Sequence, residues 1–166
     1  MEKNLYILAE PDDDTQEEIK KYEKITAEYG LTGRQTKDIP YHITLGSYSL
    51  DYENYLMDLM ETIRIQFKEF NISFSGFGLF GLNVLYLNPD MNLKLIELYN
   101  LIKENCQWGN CDLSAHTTIL MDEPENILMV LPKITESFKK INGKIKYISL
   151  YEFFPKRLIK RIELDA

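Results

Sequence analysis

The chain of 166 residues is poor in the residues that most often declare a chemistry: two cysteines, two histidines and one tryptophan. Two cysteines are too few for the disulfide framework of a small secreted domain. Cys106, Cys111 and His116 are evenly spaced, but a structural zinc site wants four ligands with closer cysteine pairs, and no second pair exists. No metal and no cofactor is therefore expected, and the two thiols read as reduced, or as a reversible pair under oxidation. The chain also lacks any apolar run near the roughly 20 residues of a membrane span, so no membrane partner is expected. Bases are outnumbered, 19 against 26 acids, for a net charge of −7. Such a surface excludes non-specific holding of long nucleic acid, yet leaves room for a small anionic ligand in a locally positive pocket.

What remains is an ordinary soluble composition, 45% apolar and 27% charged, which fits neither disorder nor a fibrous repeat. The length suits one domain with a sizeable core, residues 1–166. The first ten residues hold one lysine and a short apolar stretch between acids, so they read as a first strand and not as a secretory signal. With so few cysteines, this points to the cytoplasm.

Period and punctuation give the element order. Leu5–Ala9 is a strand; the run Pro11-Asp-Asp-Asp14 opens a helix, with Asp14 and Glu17 at capping-box spacing and Ile19, Tyr22, Thr26 and Tyr29 on one face before Gly30. A polar loop to Pro40 precedes a strand, Tyr41–Leu45, and a turn through Gly46. A helix from Asp51 carries the stripe Leu56, Met60, Ile63 and Phe67. Phe70, Ile72 and Phe74 alternate with polar residues as in a half-buried strand. After a glycine-rich connection come a strand at Val84–Leu87, a helix over Met91–Asn105, a strand at Ala115–Leu120 and a helix capped by Asp122. Pro132 should kink or divide that helix. A hairpin around Pro155 closes the chain. The order strand, helix, strand, helix, strand thus occurs twice, which suggests two similar lobes facing each other with the third element of each at the centre.

Both histidines fall in those third elements, and both as His-x-Thr: His42-Ile43-Thr44 and His116-Thr117-Thr118. Residues i and i+2 of a strand share a face, so each motif sets an imidazole beside a hydroxyl. His42 stands nine residues before the helix start at Asp51, and His116 eight before Pro124. A lone histidine on a strand is usually a partnered polar residue and nothing more. Two copies at equivalent places, holding every histidine in the chain, resist that reading. Two imidazoles and two hydroxyls on one cleft suit a phosphodiester: one neutral histidine takes a proton from the attacking water or ribose hydroxyl, the other gives one to the departing oxygen, and the threonines bind the non-bridging oxygens.

Tyr-His-Ile-Thr-Leu and Ala-His-Thr-Thr-Ile, on their apolar strands, resemble the 2H phosphoesterase superfamily, which includes the 2′-5′ RNA ligase-like proteins and cyclic nucleotide phosphodiesterases. The likeness extends over nearly the whole chain, through the opening strand and acidic helix start and the stretch Gly78-Leu-Phe80 before Val84–Leu87. It implies an α+β bilobal fold with two pseudo-symmetric lobes, antiparallel sheets lining a central cleft and helices outside. It implies metal-independent opening of 2′,3′-cyclic phosphates or a related phosphoester reaction on a small substrate, a cyclic nucleotide or short oligonucleotide. His42 and His116 match the catalytic histidines, with His116 as base and His42 as acid; Thr44 and Thr118 match the phosphate-holding hydroxyls. A two-lobed chain completes its own cleft, so a monomer is expected.

The alternatives are a non-catalytic module of the same fold that binds nucleotides or RNA ends, and a metal-dependent hydrolase using His116 with the acids. Phe80 and Tyr151 are the aromatics expected to touch substrate; Trp108 and Tyr48 are further candidates for stacking on a base. Arg34, Lys37, Lys156 and Arg157 could hold a phosphate but belong to no motif, and read as solvated surface. Gly76-Phe-Gly-Leu-Phe-Gly81 has the dinucleotide-binding spacing, but a strand follows it where that motif needs a helix. Its glycines are expected to shape a turn or bulge.

Overall fold

The computed structural model describes residues 3–103 and 114–166. Cys106, Trp108 and Cys111 lie outside the described residues. Among the described residues seven strands and four α-helices follow in the order β1 (Asn4–Pro11), α1 (Asp13–Glu28), β2 (Ile43–Tyr48), α2 (Glu53–Gln66), β3 (Phe70–Phe80), β4 (Val84–Pro89), α3 (Leu93–Ile102), β5 (Thr117–Met121), α4 (Pro124–Ser137), β6 (Ile141–Phe153) and β7 (Arg157–Glu163). The α+β reading holds. No helix of the described residues is long and apolar enough to cross a membrane.

The strands form one antiparallel sheet in the order β2-β1-β6-β3-β4-β5, with β7 on β6. The expected duplication is written in the pairings. Exchanging β1 with β4, β2 with β5 and β3 with β6 maps the six-strand path onto itself, with the central β3–β6 pairing as its own image. The lobes are not separate sheets, however. The first half of β3 pairs with the first half of β6, Phe70 to Ile145 through Phe74 to Ile141, and these two long strands weld the lobes together. β2 and β5 are thus the two ends of the sheet.

Alternation divides the sheet into faces. Leu5, Ile7 and Ala9 of β1 join Ile43 and Leu45 and the buried sides of all four helices in one core, including Ile19, Met60, Leu98 and Ile134. Leu8 belongs instead to a small cluster with Tyr151, Phe153, Tyr6 and Ile39 on the face away from the helices.

Several local expectations shift. The N-cap of α1 is Asp12, not Asp14: its Oδ1 accepts from the Thr15 amide at 2.8 Å and its Oδ2 from the Lys144 amide at 3.1 Å. Three consecutive aspartates leave the choice to β6. Tyr29 ends α1 as its exposed C-cap residue. Glu123, not Asp122, precedes Pro124 as N-cap of α4, and Asp122 accepts from the Glu123 amide. Pro132 does not divide that helix: the carbonyl four residues back that it cannot bond is that of Leu128, a residue 52% exposed and so on the solvent side. α3 begins at Leu93, capped by the Asn92 side chain, because Met91 has nothing to pack on. Gly46 is no turn; it lies within β2 because the Tyr48 ring occupies the place a side chain would take, 2.8 Å from a Cβ there. The glycine-rich connection is likewise the second half of β3. Phe77 and Leu79 pack on the core while the glycines face the other way, so absent side chains hide the period of two. Its bulge falls between Phe74 and Gly76, and Gly81, at φ +54°, supplies the turn.

Candidate active site

The two motifs are built alike. His42 and His116 each stand one residue before their strand, not inside it. In both, the middle residue is fully buried (Ile43, Thr117), while the histidine and the threonine two residues on are partly exposed. Each imidazole Nδ1 lies 2.8 Å from the carbonyl oxygen two residues earlier, that of Pro40 or Ser114. A carbonyl only accepts, so Nδ1 carries a proton and Nε2 is the nitrogen left for chemistry. Each motif strand also bulges one residue after its threonine. Leu45 has no partner between Gly46 with Ile7 and Thr44 with Leu8, and Ile119 has none between Leu120 with Leu85 and Thr118 with Tyr86. The bulge re-aims the strand at the motif in both lobes.

Ends of one sheet need something to bring them together, and the loop after α1 does so. The Arg34 amide donates to the Met121 carbonyl at 2.7 Å. The Gln35 side chain then copies a strand: its Nε2 donates to the Ile119 carbonyl at 3.2 Å, and its Oε1 accepts from the Met121 amide at 3.0 Å. The outer edge of β5 is thereby paired to the chain that runs on into His42. Behind His42, the Gln16 side chain of α1 bonds Tyr41 both ways, accepting from its amide at 2.8 Å and donating to its carbonyl at 2.9 Å. The Tyr41 hydroxyl donates to Glu23. His42 and Thr118 line one cavity of about 260 Å³, with Gln35, Lys37, Ile39 and Tyr41. A larger open groove of about 770 Å³, between the start of α1 and β3 and β6, contains neither histidine.

Burial pushes the His42 pKa down; the Pro40 carbonyl and the Glu10 carboxylate oppose this, and charge on His116 adds to it. The two imidazoles are thus near enough to sense each other. Around His116 stand Phe80, edge-on with ring centroids 4.7 Å apart, and Tyr86 at 5.5 Å. Phe80 and Tyr86 pack on each other at 4.4 Å. Gly78 makes this possible, since a Cβ there would run into the Tyr86 ring. Phe80 pairs with Val84 and Tyr151 with Tyr6, positions that the pseudo-symmetry exchanges. Phe80 is 37% exposed, but Tyr151 is nearly buried, stacked on Phe153 at 5.6 Å.

The other candidates lie elsewhere. Tyr48 is fully buried in the core on the helix side, which removes it as a stacking platform. Arg34 pairs with Glu123, Lys37 with the Thr32 carbonyl, Lys156 with the Asp38 carbonyl at 2.6 Å, and Arg157 with Glu53 and Glu152. Of these four only Lys37 lines the cavity. Among the described residues no three histidine, cysteine or carboxylate side chains gather as a metal site. Gln35, Gln16, Glu10 and Tyr86 are the neighbours that sequence reasoning missed. Only Tyr86 carried a signal, as a polar-tipped aromatic in a strand of the same half of the chain as the second motif.

No protein-family model matches the chain, and no curated protein does so significantly. Its fold is nevertheless shared by solved structures over nearly its full length. The chain is similar to Escherichia coli LigT, a 2H phosphoesterase, in complex with NADP+: TM-score 0.65, 20% identity, 99% of each chain covered. A structure described as a phosphoesterase gives TM-score 0.62 at 18% identity, with 99% of this chain and 100% of that one covered. TT0787 of Thermus thermophilus gives 0.66 at 10% identity, with 98% of both covered. The expected fold, that of the 2H phosphoesterases, is the observed one.

Proposed function

We propose that the chain is a metal-independent phosphoesterase that opens a small phosphodiester, a 2′,3′-cyclic nucleotide or a short oligonucleotide end, between His42 and His116. The observation that carries this reading is the matched pair of motifs. Each has its Nδ1 tied to a backbone carbonyl and a hydroxyl on the same face, and His42 and Thr118 open on one cavity. The fold shared with phosphoesterases supports it, and the LigT complexes with 3′-AMP and ATP support a small nucleotide as the ligand class.

In the proposed step His116 Nε2 takes a proton from water as its oxygen attacks phosphorus. The bond from phosphorus to the ribose 3′ oxygen breaks, and the protonated Nε2 of His42 supplies the proton that makes it a hydroxyl. The product is a 2′-phosphate. Thr44 and Thr118 donate to the non-bridging oxygens, whose charge grows in the transition state. The Pro40 and Ser114 carbonyls keep each ring in one orientation and favour the imidazolium when it forms. Burial disfavours the charged form of His42, so the substrate's own phosphate must hold the acid's proton in place. Phe80, beside His116, is the aromatic we assign to substrate contact; Tyr151, its counterpart in the other lobe, is nearly buried against Phe153.

Adenosine 2′,3′-cyclic phosphate incubated with the protein in EDTA tests this. Conversion to the 2′-phosphate is expected. Binding without turnover would return the reading to a nucleotide-binding module, and activity lost to the chelator would point to a metal hydrolase.

A further inference from the structure

One fully buried carboxylate bears on the step above only through its charge, which favours the protonated form of His42. Glu10 of β1 accepts from the Ser149 hydroxyl at 2.5 Å and from the Arg161 Nε at 2.8 Å. Arg161 belongs to β7, which carries three bases. Two of them serve the helix side, Arg157 reaching Glu53 of α2 at 2.8 Å and Lys160 reaching Glu61 at 2.5 Å. Arg161 faces the other way. It pairs with Ser149, Ser149 pairs with Leu8, and Leu8 pairs with Thr44. Directly paired residues share a face, so these four make one row across β7, β6, β1 and β2 that ends at the first motif.

The guanidinium is fixed from two sides, by Glu10 at Nε and by the Tyr147 ring, whose centroid lies 3.8 Å away. No described residue accepts from its two terminal nitrogens, and the side chain is 38% exposed. Glu10 cancels the net charge of the arginine but leaves this end-on pair of donors, the geometry that binds a phosphate bidentately. Three strand spacings separate the Arg161 and Thr44 backbones, about 14 Å, and the side chain reaches back over one of them, so the free donors stand roughly 10 Å from the motif. A nucleoside with a phosphate at each end of its sugar spans such a gap.

We propose that Arg161, held by Glu10 and Tyr147, is a second anion subsite that takes a terminal phosphate on a substrate whose scissile phosphodiester lies between the two histidines. This rests on the phosphoesterase reading and narrows its substrate class to phosphodiesters that carry a further phosphate monoester.

The test compares adenosine 2′,3′-cyclic phosphate with and without a 5′-phosphate. Wild type should favour the 5′-phosphorylated compound in kcat/KM by about tenfold or more, the value of a charged hydrogen-bond pair. Arg161→Gln alone would strand the buried carboxylate, so it is combined with Glu10→Gln. In that double variant the ratio should fall to near one, and in Arg161→Lys, which keeps the charge pair but not the fork, to an intermediate value. A wild-type ratio near one, or a preference that survives the double variant, overturns the subsite. If neither compound is turned over, the phosphoesterase reading fails on its own. The subsite is then read by calorimetric binding of adenosine 5′-monophosphate against adenosine: a preference lost in the variants supports it, and equal affinities overturn it.

Discussion

The loop from α1 to His42 is the element that joins the sheet's two ends, and Gln35 is where it can be cut. Gln35→Ala removes two hydrogen bonds to the edge of β5, at 3.2 and 3.0 Å, and leaves the Arg34 amide bond to the Met121 carbonyl and the exposed Arg34–Glu123 ion pair as ties. A hydrogen bond of this kind contributes about 0.5–1.5 kcal/mol net. Met121 is 38% exposed, so water can replace part of what is lost. The expected destabilisation is therefore about 1–2 kcal/mol, or about 3–6 °C in melting temperature for a domain of this size. Thr118 sits directly before Ile119 and should lose its place against His42, so kcat/KM for a 2′,3′-cyclic nucleotide should fall about tenfold, a positional loss of modest size. Gln35→Glu separates the two bonds. It keeps the acceptor for Met121 but sets a carboxylate against the Ile119 carbonyl, and it should be no better than alanine. Urea unfolding and steady-state kinetics on the three proteins decide the matter. Alanine at full activity despite lost stability would refute the coupling of this loop to the second motif, and a glutamate variant equal to wild type would refute the bonding scheme.

Three further outcomes follow from single side chains. In the proposed step His42 is the acid and must be protonated, and burial lowers its pKa in the empty site. Activity should therefore fall as pH rises through a limb that lies below the ordinary histidine value of about 6.5 in kcat/KM, and at higher pH in kcat, where bound phosphate holds the proton; limbs that coincide would contradict this. A Cβ at Gly143 would lie 2.9 Å from the Thr15 Cβ and closer still to its hydroxyl, so Gly143→Ala should cost about 1–3 kcal/mol in urea unfolding and be rescued by Thr15→Ala. The Thr117 hydroxyl is buried without a partner among the described residues, so Thr117→Val should stabilise by about 1 kcal/mol, and a loss of stability would show that the hydroxyl is used.

What was legible in the sequence was what period and residue type encode locally. The doubled element order, the helix stripes and the side-by-side placing of His42 with Thr44 and His116 with Thr118 all follow from spacings of 2 and 3.6 residues. Capping was harder, because Asp12, Asp13 and Asp14 are equivalent until Lys144 of β6 selects the first. The glycines of β3 and Gly46 read as turns because a missing side chain looks the same whether the backbone bends or a tyrosine ring needs the space. The joining of β2 and β5 through Gln35, the clamp of Gln16 on Tyr41 and the Glu10 to Arg161 pair link positions 25 to 151 residues apart, and no local pattern announces a polar side chain's distant partner.

The central claim is that His42 and His116 act as one unit on one phosphodiester. Its most direct test is a double-mutant comparison in EDTA, measuring turnover of a 2′,3′-cyclic nucleotide by wild type, His42→Ala, His116→Ala and the double variant, all with circular dichroism unchanged. Each single variant should lose about 10²–10⁴-fold in kcat, and the double variant should lose little more than the worse of the two, because removing either partner disables the same step. Losses that multiply in the double variant, or turnover that survives it, would show that the two motifs do not share a reaction.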